Sequence, residues 1–183
     1  GIMLEGRNLR VLDNVLGNAG SDAVEILTGP GEIRGNYVVI TGQTHVGIGS
    51  DRGNSIVMAD NVVHVRAGGR LDIGLRSWAD SRRHVMSGNV VTVDPGGVCT
   101  RAMDVRGDGA AVTGNCIHGP DEGERILLSI RGGNTVVTGN LLENAVVDVN
   151  DETGKGLPIL VYANIMHNAE IVHTAGELRL RPE

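Results

Sequence analysis

Short apolar-polar-apolar phrases alternate along this chain with corners rich in Gly and Asn, and one phrase recurs. It reads RGNYVV at 34–39, ADNVVH at 59–64, SGNVVT at 87–92, TGNCIH at 113–118, TGNLLE at 138–143 and YANIMH at 162–167, with a weaker copy, LDNVLG, at 12–17. The shared residues are Asn14, Asn36, Asn61, Asn89, Asn115, Asn140 and Asn164, at intervals of 22, 25, 28, 26, 25 and 24. Three residues before each Asn stands an apolar side chain: Val11, Ile33, Met58, Met86, Val112, Val137 and Val161. Two after it stands another: Leu16, Val38, Val63, Val91, Ile117, Leu142 and Met166. Strand side chains alternate with period two, so both series are expected to point into one core.

A further in-out-in phrase follows each copy: VEI at 24–26, VGI at 46–48, LDI at 71–73, MDV at 103–105, LSI at 128–130, VDV at 147–149 and IVH at 171–173. The pattern predicts three short strands per repeat, joined by turns of which one varies in length. Helical periodicity of any length is absent, which disfavours alternating strand-helix layouts. The expected fold is all-β: a right-handed parallel β-helix, a solenoid of about seven coils with three short strands per coil. It would form a single domain over 1–183, an excised piece of a larger chain or one that caps itself by association, since open solenoid ends expose strand edges. The C-terminal HTAGELRLRPE reads as a last strand. The Asn of each repeat is expected to take left-handed backbone, which Asn tolerates, and to stack with its neighbours as an amide ladder.

Composition fits this picture. Phe is absent, aromatics make up 2% of the chain and Gly reaches 28 residues. A core of Val, Ile, Leu and Met with Gly at the corners suits stacked strands better than a two-layer domain does. The net charge of −6 argues against general nucleic-acid binding. No apolar run approaches the roughly 20 residues of a membrane span, so neither nucleic acid nor membrane is expected as a partner. Cys99 and Cys116 show no metal-ligand spacing and read as small buried hydrophobes.

The phrases AMDVRGDGAAVTGNCIHG and LLSIRGGNTVVTGNLLEN resemble the degenerate β-helix repeat of the pectate-lyase-like superfamily, over roughly residues 8–175. That superfamily includes pectate lyases, polygalacturonases, alginate epimerases and phage tailspikes. The resemblance implies polysaccharide as ligand, an extracellular or virion-surface location and, from the tailspikes, a homo-oligomer such as a trimer. The repeat itself is architectural and names no reaction.

Candidate chemistry lies on the outward positions of the further strand, read as Glu25, Gly47, Asp72, Asp104, Ser129, Asp148 and Val172, with Leu27, Gly49, Gly74, Arg106, Arg131, Asn150 and Thr174 two residues on. Parallel strands lie about 4.8 Å apart, so Asp72 and Asp104 are expected side by side on adjacent coils. Asp72, Asp104, Arg106 and Arg131 are the candidate catalytic residues, because paired carboxylates at such separations suit glycosidases. In a lyase an arginine could act as base while the acids hold Ca²⁺; no metal ligand or other cofactor is assigned. Glu25, Trp78, Asp148 and Asn150 are the candidate binding residues, Trp78 as a lip over a groove in the loop SWADSRR. His64, His118 and His167 share a register, but next-nearest coils hold them too far apart for one metal ion and they read as surface residues.

A last pattern is an apolar stripe at nominally outward places. One residue after each Asn stand Val15, Tyr37, Val62, Val90, Cys116, Leu141 and Ile165; four before it stand Arg10, Glu32, Val57, Val85, Ala111, Val136 and Leu160. A contiguous apolar face usually marks a contact surface. Three functions are therefore expected in turn: a β-helical segment of a surface or phage-tail-type protein that engages polysaccharide and assembles as an oligomer; a polysaccharide lyase, hydrolase or epimerase using the Asp/Arg strip; and a scaffold without ligand.

Overall fold

The computed structural model describes residues 1–175 and 177–180. Its regular structure is all strand, in three parallel sheets wound as a solenoid of about seven turns. The first sheet stacks Ile2–Leu4, Asp22–Thr28, Gln43–Arg52, Arg70–Ser77, Val98–Val105, Ile126–Ile130, Ala145–Asn150 and Glu170–Ala175. The second stacks Leu9–Leu12, Gly31–Arg34, Ile56–Ala59, Val85–Ser87, Ala111–Thr113, Thr135–Thr138, Ile159–Tyr162 and Leu178–Leu180. The third stacks Val15–Gly17, Tyr37–Ile40, Val62–Val65, Val90–Val93, Cys116–His118, Leu141–Glu143 and Ile165–His167. A last strand from the C-terminal segment is therefore present at Leu178–Leu180; residues 181–183 lie outside the described ones.

Both apolar series point inward as the alternation requires. Ile33, Met58, Met86, Val112 and Val137 are wholly buried in the second sheet, and Val38, Val63, Val91, Ile117 and Leu142 in the third. The first sheet adds Ile48, Leu75, Met103, Leu128 and Val147. Each column places like-sized aliphatic residues one coil above another, so a narrow interior fills without any ring. Burying one such side chain contributes roughly 1.5–3 kcal/mol. The columns loosen at the ends, where Leu16 is half-buried and Met166 is 36% exposed.

The repeated Asn forms the corner between the second and third sheets. The left-handed residue is not the Asn itself but the one before it: Asp13, Gly35, Asp60, Gly88, Gly114, Gly139 and Ala163, all at φ between 50° and 68°. This corrects the expectation from sequence. A left-handed residue turns the chain sharply and frees the following Asn side chain to lie inward along the axis. Each amide then bonds to the next coil. Asn61 Nδ2 donates to Asn89 Oδ1 at 2.9 Å, Asn89 Nδ2 to Asn115 Oδ1 at 2.9 Å, and Asn115 Nδ2 to Asn140 Oδ1 at 2.9 Å. The same oxygens accept a main-chain N–H, Asn89 N to Asn115 Oδ1 at 3.0 Å, and the same amides donate to a carbonyl of the preceding coil, Asn115 Nδ2 to Met86 O at 2.9 Å. The ladder runs unbroken from Asn14 to Asn164. It satisfies buried polar groups at every coil, as a corner out of contact with water must.

The apolar stripe is outward, as expected. Val15, Tyr37, Val62, Val90, Cys116, Leu141 and Ile165 follow one another in register on the third sheet. Val57, Val85, Ala111, Val136 and Leu160 do the same on the second.

Candidate functional site

The outer face of the first sheet carries charge where the other two carry aliphatic rows. Its central column, in pairing order, is Met3, Glu25, Gly49, Arg76, Asp104, Ser129, Asp148 and Val172. Arg76, not Asp72, stands between Gly49 and Asp104. Asp72 lies four residues earlier in the same strand, about 13 Å away along it. There it faces His45, whose Nδ1 is 2.8 Å from Asp72 Oδ2, with both side chains about half exposed. The expected side-by-side Asp72–Asp104 carboxylates are therefore not present. The reason is register: LRS at 75–77, not LDI at 71–73, pairs with MDV at 103–105, and strict alternation fails between the two phrases, where a Cβ on Gly74 would meet the core residue Val91. In VGIGS at 46–50 it is likewise Gly49, not Gly47, that joins the column, since a Cβ on Gly47 would meet the core residue Val63.

The column is bound together by arginines. Arg76 Nη2 lies 2.6 Å from Glu25 Oε1 and 3.1 Å from Asp22 Oδ2, all three nearly enclosed. Burial first, and Asp22 alongside second, push the Glu25 carboxyl above its ordinary range; Arg76 pulls it back in part. Asp104 is wholly buried, with Arg106 at 3.0 Å and Arg131 Nε at 3.7 Å. Arg131 also reaches Asp148 at 3.4 Å and pairs with Glu152, which Arg106 approaches at 4.0 Å.

At the end of the sheet the chain holds Trp78, Arg106 and Arg131 on three successive coils. Their N–H groups extend the ladder, to Ser50 O at 3.0 Å, Ser77 O at 2.9 Å and Val105 O at 2.8 Å. Two guanidinium groups lie over the Trp78 ring, Arg76 at 5.0 Å and Arg106 at 4.8 Å from its centroid. Such stacking holds a planar cation over a ring face, and both guanidinium groups are also paired, Arg76 with Glu25 and Asp22 and Arg106 with Asp104. Trp78 thus positions arginines instead of standing as a lone lip.

Beyond this stack the variable turns to the second sheet form an open cleft of about 340 Å³, lined by Ala79, Arg106, Arg131, Glu152, Thr153 and Lys155. A shallower hollow of about 520 Å³, lined by Arg82, Arg83, Asp108, Gly109, Asn134 and Lys155, continues it. Lys155 borders both and lies 2.5 Å from Asp108 Oδ2. Five cations thus converge on one corner of a chain whose net charge is −6. Of the residues singled out from sequence, Glu25, Trp78, Asp104, Arg106, Arg131 and Asp148 come together on this face. Asn150 sits half-buried at the end of its strand, and Asp72 stands apart. Arg76, Glu152, Arg82, Arg83 and Lys155 were missed. Lys155, in the turn DETGKG, gave no periodic signal, since turns carry none.

The chain matches no protein-family model. No curated protein is close enough in sequence to count as a relative. Function must therefore be argued from this corner itself. Among the described residues, no group of three or more His, Cys, Asp and Glu is placed to hold a metal ion. The carboxylates of Asp104, Asp148 and Glu152 are each engaged by arginine.

Proposed function

We propose that this chain is a β-helical module of a surface or tail-type protein that binds an acidic polysaccharide along the arginine corner of its first sheet. The observation that carries this reading is the cleft lined by Arg106, Arg131 and Lys155, with Arg106 fixed on the Trp78 ring. Arg106 gives Nε and Nη2 to Asp104, which leaves Nη1, 4.0 Å from Glu152, as its edge toward the cleft; charge-assisted contacts of this kind are strong ones. Fixing the guanidinium beforehand lowers the entropy lost when a ligand binds. The corner runs across several coils, so an extended chain of uronate sugars could meet Arg131, Arg106 and Arg83 in succession. Kinship with the pectate-lyase-like superfamily and an extracellular or virion-surface location are part of the proposal; the Asn corner and the three-sheet coil support them.

Binding is preferred to a lyase or hydrolase reaction because the carboxylates here are occupied. Asp104 has no exposed surface, and Asp148 and Glu152 are paired with Arg131. Assembly into an oligomer is the second half of the reading. It is supported by the outward aliphatic row Val57, Val85, Ala111, Val136 and Leu160 on the second sheet, and light scattering tests it: a monomer at all concentrations removes it.

Calorimetric titration with a uronic-acid oligosaccharide and a neutral glucan of equal length tests the binding half. The acidic sugar is expected to bind and to weaken as salt rises, since screening acts over about 10 Å at 0.1 M. Equal affinity for both sugars, or no heat from either, would overturn the reading.

A further inference from the structure

The third sheet carries a second constellation, independent of the arginine corner. Its outward side chains form two adjacent rows, one mainly aliphatic, the other mainly polar. Cys116 belongs to the first, between Val90 and Leu141; His118 belongs to the second, between Thr92 and Glu143. Two residues apart on one strand, Cys116 and His118 point to the same side. Pairing in register brings Glu143 beside His118 from the next coil. The Cys116 Sγ lies 2.9 Å from His118 Nε2, and His118 Nδ1 lies 2.7 Å from Glu143 Oε2. All three are partly exposed.

The order thiol, imidazole, carboxylate has chemical consequences. A carboxylate at Nδ1 holds the proton there, which leaves the Nε2 lone pair facing the thiol. That is the arrangement of a nucleophile, its general base and the group that orients the base. Burial, and then the charge of Glu143, raise the Cys116 thiol above its ordinary range. The thiol is therefore held protonated and loses its proton to His118 as it attacks.

We propose that Cys116, His118 and Glu143 form an acyl-accepting site, which takes the acyl group of an ester whose alkyl chain lies along the aliphatic row. Cys116 Sγ bonds to the carbonyl carbon while its proton passes to His118 Nε2. The carbon–oxygen bond to the leaving group then breaks, and His118 returns the proton to the departing alkoxide. The products are a Cys116 thioester and a free alcohol, with no change of oxidation state. The alkyl chain would run over Leu141 and Ile165 in one direction or Val90 and Val62 in the other. The nearby main-chain donors are committed: Cys116 N–H to Asn89 O, Leu141 N–H to Asn115 O and Gly119 N–H to Glu143 O, each at 2.8 Å. An oxyanion donor is worth about 10²–10³ in rate. The site therefore acylates once and holds the thioester instead of turning over.

The test uses p-nitrophenyl acetate and octanoate with the whole chain, following nitrophenolate release and mass. One equivalent is expected, with the added mass on Cys116. Cys99 is the internal control, because burial pushes its thiol up to about 12. The rate should level off below the pH at which the raised Cys116 thiol ionises. The groups facing His118 are Glu143, with His167 beyond it at 3.2 Å, Thr92 on the other side, and the His64–Asp94 pair two coils back. His118→Gln should slow acylation on the order of 100-fold. Glu143→Gln should slow acylation less than His118→Gln does, because Glu143 orients the base without taking the thiol proton, and Glu143→Asp should recover part of the rate. Octanoate should react faster than acetate, and Val90→Ser with Leu141→Ser should narrow that preference. The wild type alone decides the matter if the variants fold poorly. A rate that climbs tenfold per pH unit to the thiol's own ionisation, or mass on no residue, would overturn the proposal.

Discussion

Two polar columns run along this solenoid, one at the Asn corner and one on the outer face of the first sheet, and they solve burial in different ways. An amide is both donor and acceptor, so Asn can stack on Asn without limit: every copy from Asn36 to Asn140 is at most 1% exposed and bonded to the next. A charge cannot stack on its like. At a strand spacing of about 4.8 Å, equal charges repel, so the second column must change from coil to coil: Glu25, Gly49, Arg76, Asp104, Ser129, Asp148. The column that repeats holds the fold. The column that varies is left with groups such as Arg106 and Arg131 that lean toward a cleft.

Breaking the first column should cost most. Asn115→Ala removes the acceptor for the Asn89 amides and the donor to Met86 O and Asn140 Oδ1. At about 1–3 kcal/mol per stranded buried group, the loss is expected to be on the order of 4 kcal/mol by chemical denaturation. Asp104→Ala breaks the second column where it is deepest and takes from Arg106 its partner at 3.0 Å. A loss of about 3 kcal/mol is expected, at the lower end for a broken buried pair.

Glu25 sharpens the contrast through pH. Its carboxyl is raised in the folded chain by burial and by Asp22. A raised folded value means that the folded state binds the proton more tightly. The associated stability is fully present below the ordinary value of 4.5 and is lost as pH rises through the raised one. Denaturation midpoints taken upward from pH 4.5 should show this decline, and Glu25→Gln should flatten it. An amide ladder has no such term. The smallest effect belongs to Asp72→Asn. Its pair with His45 is half exposed, so stability should change by less than about 0.5 kcal/mol, and binding at the cleft should not change at all.

The same difference decides what could be read from the chain. The Asn corner is legible because identical residues recur at every coil, and the aliphatic residues three before and two after them fall inward as period two requires. The charged column is only partly legible. Asp104 lies in, and Arg106 and Arg131 directly follow, strands with a single in-out-in phrase, and they were placed together. Arg76 was lost because its strand holds two phrases, LDI and LRS, and Gly74 between them faces the core instead of alternating outward, as Gly47 does one coil before. Those two strands, Gln43–Arg52 and Arg70–Ser77, are among the longest of the first sheet. The stacking of Trp78 on Arg76 and Arg106 depends on a loop between Ser77 and Val85, whose path follows from packing and not from pattern. Lys155 reaches the cleft for the same reason. The left-handed residue was misassigned because Asp, Gly and Ala share its place, while the Asn beside it never varies.

The central claim is that the repeating column carries stability and the varying one carries binding. Its most direct test is a titration of the uronic-acid oligosaccharide into the Arg83→Gln, Lys155→Gln double variant, which leaves the Arg106–Asp104 pair intact, with the unfolding midpoint measured on the same sample. Each lost contact of about 1.4 kcal/mol is a tenfold loss, so affinity is expected to fall about a hundredfold while the midpoint shifts only slightly. Unchanged affinity, or a loss of affinity that merely follows unfolding, would contradict the account.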